Sequence, residues 1–214
     1  MNYAFKMMAV VLALGILSMF NVGNAKNKNL TQLELSQSDV ENAFVEKERG
    51  NFGKAFQIFS YHASKNKNHE AQTELGWMYH IGQHVDVDYE KAVYWYKLAS
   101  EQGNGIAQTN LGLMYSNGLG VKKNLNTAKY LFLDAAQNAE LSAMVSLSHL
   151  YFNNIFEEKN YIIKAYMWAR LADKFNYSYA SHNLEIIKKN LTRNQIKKAE
   201  ELANECELKV FTNC

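Results

Sequence analysis

The stretch "AQTELGWMYHIGQHV" beginning at Ala71 returns thirty-six residues later, from Ala107, as "AQTNLGLMYSNGLGV". Self-similarity at a fixed period means structural units that stack, because one short unit cannot bury its own apolar face. At this interval Ala71, Leu75, Gly76 and Tyr79 recur as Ala107, Leu111, Gly112 and Tyr115, and again as Ala143, Leu147, Ser148 and Tyr151. A second signature follows each: Ala92, Trp95, Tyr96 and Ala99, then Ala128, Leu131, Phe132 and Ala135. The third copy is one residue longer and gives Ala165, Trp168, Ala169 and Ala172. These spacings are those of one helical face. Each unit therefore reads as helix, loop, helix.

Local chemistry agrees. The chain has no proline, and proline is the residue that most disrupts helix interiors. Asp88 is placed to cap the helix starting at Tyr89, and Gly103 to end it. Glycine costs about 1 kcal/mol inside a helix, so Gly76 and Gly112 predict the close approach of a neighbouring helix. The aromatics Tyr79, Tyr115, Tyr151, Trp95 and Trp168 read as packing between helices. Glycines at 82, 118 and 120 lie in the loops. The segment "GLGV" lacks the lysine and hydroxyl of a phosphate loop and follows a helix, so it reads as a turn.

The first 25 residues read as a secretory signal. Lys6 is the sole charge before the apolar run Met7–Phe20, and Gly23 and Ala25 flank Asn24, which places cleavage after Ala25. The run is shorter than the roughly 20 residues that a membrane span needs, so no span is expected in the mature chain. Export would put Cys206 and Cys214 in an oxidising compartment, where an even count suggests a disulfide. On one straight helix they would lie about 12 Å apart, beyond the roughly 7 Å reach of a bridge. A bridge therefore requires the helix to stop and the tail to fold back; the alternative is two free thiols on a frayed tail. The net charge of +2 gives no reason to expect nucleic acid.

The pattern "A…LG.MY..G.GV…….A..WY..A...G" resembles the SEL-one-like repeat, or SLR, a relative of the tetratricopeptide repeat. Ala107 to Val121 is the best copy. The 71–103 copy has His84 in place of the second glycine, and the third copy lacks the glycine loop. "DVENAFVEKERGNFGKAFQIFSYHASKNKN" reads as a degenerate first pair turning at Gly50–Asn51. "YASHNLEIIKKNLTRNQIKKAEELANEC" resembles a closing pair, with Thr192 and Gln195 as a capping box. The resemblance covers about residues 39–206. It implies an all-α, right-handed solenoid of about five antiparallel helix pairs over 39–214, after a polar leader at 26–38. The expected units are about 39–70, 71–106, 107–142, 143–179 and a closing pair at 180–214.

Catalytic constellations are not evident. Neither "SDN" nor "KTG" occurs, nor does G-x-S-x-G or H-E-x-x-H. His80 and His84 have a metal-ligand spacing only if both are helical, and the expected loop begins between them. No catalytic group, metal or cofactor is assigned, and the lysines at 188, 189, 197 and 198 read as solvated helix faces. The cysteine-rich secreted branch of the family implies penicillin binding and β-lactamase-like activity. This chain departs from that branch by lacking a cysteine pair in each repeat.

What remains is surface. In such solenoids the first helix of each pair lines the concave side. Its positions outside the repeat signature vary among the copies, and Gln72, Glu74, Trp77, Asn110, Leu113, His149 and Phe152 are the candidate binding residues. Trp77 leads, because tryptophan is enriched at binding hot spots; its alternative role is packing on the neighbouring pair. The expected function is a non-enzymatic scaffold, exported to a bacterial periplasm or beyond, monomeric, binding a protein or peptide that could belong to the cell envelope. The alternative is a binder of cell-wall glycan or of a polysaccharide-assembly complex.

Overall fold

The computed structural model describes residues 30–31, 35, 38–209, 211 and 214. The expected signal at 1–25 and most of the polar leader lie outside them. Within 31–214 the described residues form ten α-helices and no strand. These are α1 (Val40–Glu48), α2 (Phe52–Lys65), α3 (His69–Ile81), α4 (Tyr89–Ser100) and α5 (Gly105–Asn117). They continue as α6 (Leu125–Gln137), α7 (Leu141–Phe152), α8 (Tyr161–Lys174), α9 (Ser178–Lys188) and α10 (Arg193–Leu208).

Side-chain caps set many of the helix boundaries. Asn68 and Asn104 accept the backbone N–H of Ala71 and Ala107, each at 2.8 Å, and so start α3 and α5 at equivalent points. Asp88 and Asn124 do the same for α4 and α6. Thr192 and Gln195 form the expected capping box on α10. Each such oxygen satisfies a donor that the first helical turn leaves free.

The alanines of the two signatures are the contact points. Ala71, Ala107 and Ala143 on the first helices, and Ala92, Ala99, Ala128, Ala135, Ala165 and Ala172 on the second, have no exposed surface. α3 packs on α4, α5 on α6 and α7 on α8, and each pair stacks on the next. The core is one layer of side chains between these helices, closing over Trp168, Phe132, Tyr96, Leu75 and Leu147.

Gly76 and Gly112 make that packing possible. A Cβ on Gly76 would lie 2.5 Å from Cδ1 of Tyr96, and one on Gly112 would lie 2.5 Å from Cε1 of Phe132. Both distances are far inside van der Waals contact. The aromatic ring of the second helix therefore rests directly on the backbone of the first. In the third pair the aromatic slot holds Ala169 and the glycine slot holds Ser148, whose Oγ donates 2.8 Å to the carbonyl of Ala165. Ring and glycine come and go together.

The loops show a second exchange. A Cβ on Gly120, in the loop after α5, would lie 2.3 Å from the carbonyl oxygen of Tyr89 at the start of α4. The preceding loop carries His84 at this point, with φ of 70°, and faces Gly53 at the start of α2. Gly53 is the second residue of α2, as Glu90 is of α4, and its own Cβ would lie 2.9 Å from the His84 ring. The loss of one loop glycine is matched by a glycine on the helix opposite.

The C-terminal helices depart from the repeated arrangement. α9 and α10 each pack on α8 and make little contact with one another. α10 ends at Leu208, and the chain turns back through a bond from the Phe211 N–H to the Cys206 carbonyl. Cys206 and Cys214 form a disulfide with Cα atoms 5.2 Å apart. Phe211 is buried, its ring 6.3 Å from that of Phe175 at the end of α8.

Gly112→Ala should cost about 1–3 kcal/mol in urea unfolding, as for other overpacked cores. The penalty should shrink in a Phe132→Leu background, giving a coupling of at least about 0.5 kcal/mol. The Tyr96 hydroxyl is buried with no hydrogen-bond partner, and its counterpart is phenylalanine. Tyr96→Phe should therefore leave stability unchanged or raise it, by up to about 1–3 kcal/mol.

Candidate functional site

Among α3 to α9, the first helices α3, α5, α7 and α9 touch their successive counterparts directly, whereas the second helices α4, α6 and α8 do not approach one another to the same degree. The first helices thus lie on the shorter, inner side of the stack. Their outward-facing positions fall into rows, one residue per helix, because the pairs share a common register.

The innermost row is Trp77, Leu113, His149 and Ile186. Trp77, Leu113 and Ile186 are 38%, 36% and 39% exposed, and His149 is exposed as well. Three of these were candidates from sequence; Ile186 was not, because α9 falls outside the copies whose signatures align. The neighbouring row is Glu74, Asn110, Ser146 and Asn183, all half-buried. Here Glu74 pairs with Lys47 of α1, and the Asn183 amide donates 2.7 Å to Nε2 of His149. Ile81, Ile106 and Tyr179 add exposed apolar surface at the two ends of these helices.

Gln72 does not belong to this face. It is 2% exposed, donates to the carbonyl of Ala63 on α2 and accepts from Gln102 beyond α4. Its counterparts Gln108 and Met144 are buried as well. This position varies in sequence yet faces the preceding pair, so it serves packing. Phe152 is half-buried against the core that includes Tyr151 and Trp168. The remaining candidates, Glu74, Trp77, Asn110, Leu113 and His149, lie in the two adjacent rows.

His80 lies beside Trp77 on the last turn of α3. Its ring meets those of Trp77 and Tyr89 edge-on at 5.8 Å and that of Tyr96 at 6.3 Å. Its Nδ1 is buried without a partner, and burial holds the imidazole below its ordinary 6.5. His84 is in the following loop and packs on Phe56, so the two histidines do not share a helical face. Among the described residues no cluster of three histidine, cysteine or acidic side chains could hold a metal ion. One Ser-x-x-Lys spacing does occur, Ser64 to Lys67, but it straddles the end of α2 and Lys67 lies outside the helix at φ 51°.

A depressed histidine pKa means that the folded state resists protonation. The stability tied to a neutral His80 is complete above 6.5, the unfolded value, and is lost as pH falls through the lower folded value. Melting temperature should therefore drop on acidification below 6.5, and His80→Phe, which keeps a ring in the aromatic box, should flatten that part of the pH profile.

Three matches to the Sel1 repeat family model cover residues 69–104, 105–139 and 141–172. No curated protein matches the chain. Among solved structures, a Sel1 repeat protein from Oxalobacter formigenes is similar at 28% identity and a TM-score of 0.60, over 69% of this chain and 60% of that one. A protective antigen of uropathogenic Escherichia coli strains displaying an SLR fold is similar at 22% identity and a TM-score of 0.64. That match covers 96% of this chain and 46% of the antigen, and supports the fold alone. The chain thus spans 60% and 46% of the two relatives, less than two thirds of either. No helix of the described residues is long and apolar enough to cross a membrane. The two signatures, the ring-on-glycine contact and the family matches coincide over residues 69–172, and this part of the chain consists of three Sel1 repeats.

Proposed function

We propose that this protein is a non-enzymatic interaction scaffold that binds a peptide segment of another protein along the inner face of its first helices. The observation that carries this reading is the row Trp77, Leu113, His149 and Ile186: one exposed side chain on each of the first helices α3, α5, α7 and α9, in register. Packed helices lie about 8–10 Å apart, and an extended peptide rises about 3.3 Å per residue. A peptide crossing the helices would therefore meet one member of the row about every third residue. Trp77 and Leu113 supply apolar contact, and Asn110 and the Asn183–His149 pair supply hydrogen bonding beside it. The Sel1 repeat family itself supports a protein-interaction role.

The same reading places the protein outside the cytoplasm. The disulfide between Cys206 and Cys214 suits an oxidising compartment, as does the secretory character of residues 1–25. The partner is then a periplasmic, cell-surface or secreted protein, and the scaffold acts as a monomer.

A photo-reactive amino acid placed at 77, 113 or 186 in the native cell should cross-link a shared partner. The same group at Tyr94 or Tyr130, exposed on the second helices, should not. Trp77→Ala should cut capture of that partner by tenfold or more, as hot-spot truncations of about 2 kcal/mol do, with an unchanged circular dichroism spectrum. Cross-linking confined to 94 and 130 would refute the inner face, and nitrocefin turnover by the purified protein would refute the non-enzymatic reading.

A further inference from the structure

The turn between α9 and α10 concentrates positive charge. Lys188, Lys189, Arg193, Lys197 and Lys198 fall within eleven residues that contain no acid. The whole chain is only +2, so everything outside this segment is net −3. All five side chains are exposed. Lys188 and Lys197 reach Glu185 and Glu201 only at 3.7 and 3.9 Å. Lys189, Arg193 and Lys198 have no acidic partner among the described residues.

Helix stability accounts for Lys188 and Lys189, at the C-terminal end of α9, but not for the three cations of α10. A helix favours acids at its N-terminus and bases at its C-terminus, each worth about 0.3–1 kcal/mol. α10 is the reverse: its first turn has no acid and its last turn no base. Arg193, Lys197 and Lys198 sit near its start, and Glu205 and Glu207 near its end. Even the Lys197–Glu201 pair runs in the less favourable order for an i,i+4 contact. The positive end of the α10 dipole thus adds to Arg193, Lys197 and Lys198, and the C-terminus of α9 brings Lys188 and Lys189 beside them.

We propose that this turn is an electrostatic docking surface for an anionic phospholipid bilayer. Four of the five cations are lysines, compact charges on flexible stems that suit a diffuse layer of headgroups more than paired recognition of one anion. They lie on and beside the connection between two helices that both rest on α8 and scarcely touch each other. Such a knuckle meets a plane; a linear polyanion would call for a trough. Juxtaposed to an anionic leaflet, each basic residue contributes about 1 kcal/mol of attraction. The surface is independent of the inner row, so a scaffold held there would keep Trp77 and Leu113 free for a partner.

The test is co-sedimentation of the full-length protein with phosphatidylcholine vesicles, with and without phosphatidylglycerol. The readout is the excess binding to the anionic vesicles, because the apolar run 7–20 would enter both kinds. The wild type should show that excess at low salt and lose it at high salt. Lys189→Gln/Arg193→Gln/Lys198→Gln should lower it about a hundredfold, three charges at about fivefold each. Lys65→Gln/Lys67→Gln/Lys122→Gln, which removes the same charge elsewhere, should retain it; circular dichroism checks that both variants fold. No anionic excess in the wild type, an equal fall in both variants, or binding to soluble polyphosphate without binding to vesicles would each overturn the proposal.

Discussion

The contact of an aromatic ring with bare helical backbone sets the geometry of this protein. Tyr96 on Gly76 and Phe132 on Gly112 fix how far apart the two helices of a pair can stand and how each is rotated about its axis. Rotation matters more for function than separation does. Once the glycine face of α3 is turned onto α4, Trp77, the next residue along, has to look away from the core. The same logic orients Leu113 on α5. The apolar row is thus a by-product of core packing, and so its members fall in register.

Charged groups reinforce this frame from its edges. Lys91 on α4 lies over the Tyr79 ring of α3 at 5.2 Å, and Lys164 on α8 lies over the Tyr151 ring of α7 at the same distance. Each clamps the second helix of a pair to the first near the loop, where the contact gains roughly 0.5–1 kcal/mol when exposed and more when shielded. Lys129 adds a link between pairs, reaching from α6 to Glu158 and to the rings of Tyr151 and Phe156. Burial opposes its charge, but the hydrogen bonds to Glu158 and Tyr151 outweigh that and raise its pKa. The two lysines on Glu158 hold that carboxyl below its ordinary range. In the first pair, burial of Glu46 is outweighed in the same way by Lys54 and Asn51. These networks lie under loops and pair boundaries and leave the inner rows free of fixed charge except at Lys47–Glu74.

Sequence periodicity carried most of the fold. The alanine and aromatic spacing located α3 to α8, and capping chemistry marked the starts of α4 and α10, because these are local effects with a short physical range. It failed where a position's neighbours come from another unit. Gln72 varies among the copies as a surface residue would, but its polar atoms are satisfied by α2 and by Gln102, which no repeat alignment brings together. Ile186 lay hidden for the opposite reason. α9 keeps the buried Ala180, Leu184 and Ile187 of a first helix but lacks the glycine and tyrosine that mark one. The tail was open between a bridge and free thiols on spacing alone; what decides the geometry is that α10 stops at Leu208 and Phe211 finds a partner in Phe175. The basic turn was visible as composition, yet its significance needed the helix boundaries, which show it opposing the α10 dipole.

The loop exchange at His84 and Gly53 bears on how such an array can change over time. Each loop is shaped to the start of the second helix in the preceding unit, so the compatible module does not begin and end where the repeat does. Copying residues 71–106 alone into a new position would bring His84 against whatever stands in the Gly53 slot, and a side chain there would collide with it. Heritable rearrangement must therefore carry a loop together with the helix it leans on, which favours duplication in blocks of more than one unit. Divergence between adjacent copies then becomes a record of paired steps, and it makes the order of the units in this chain difficult to permute.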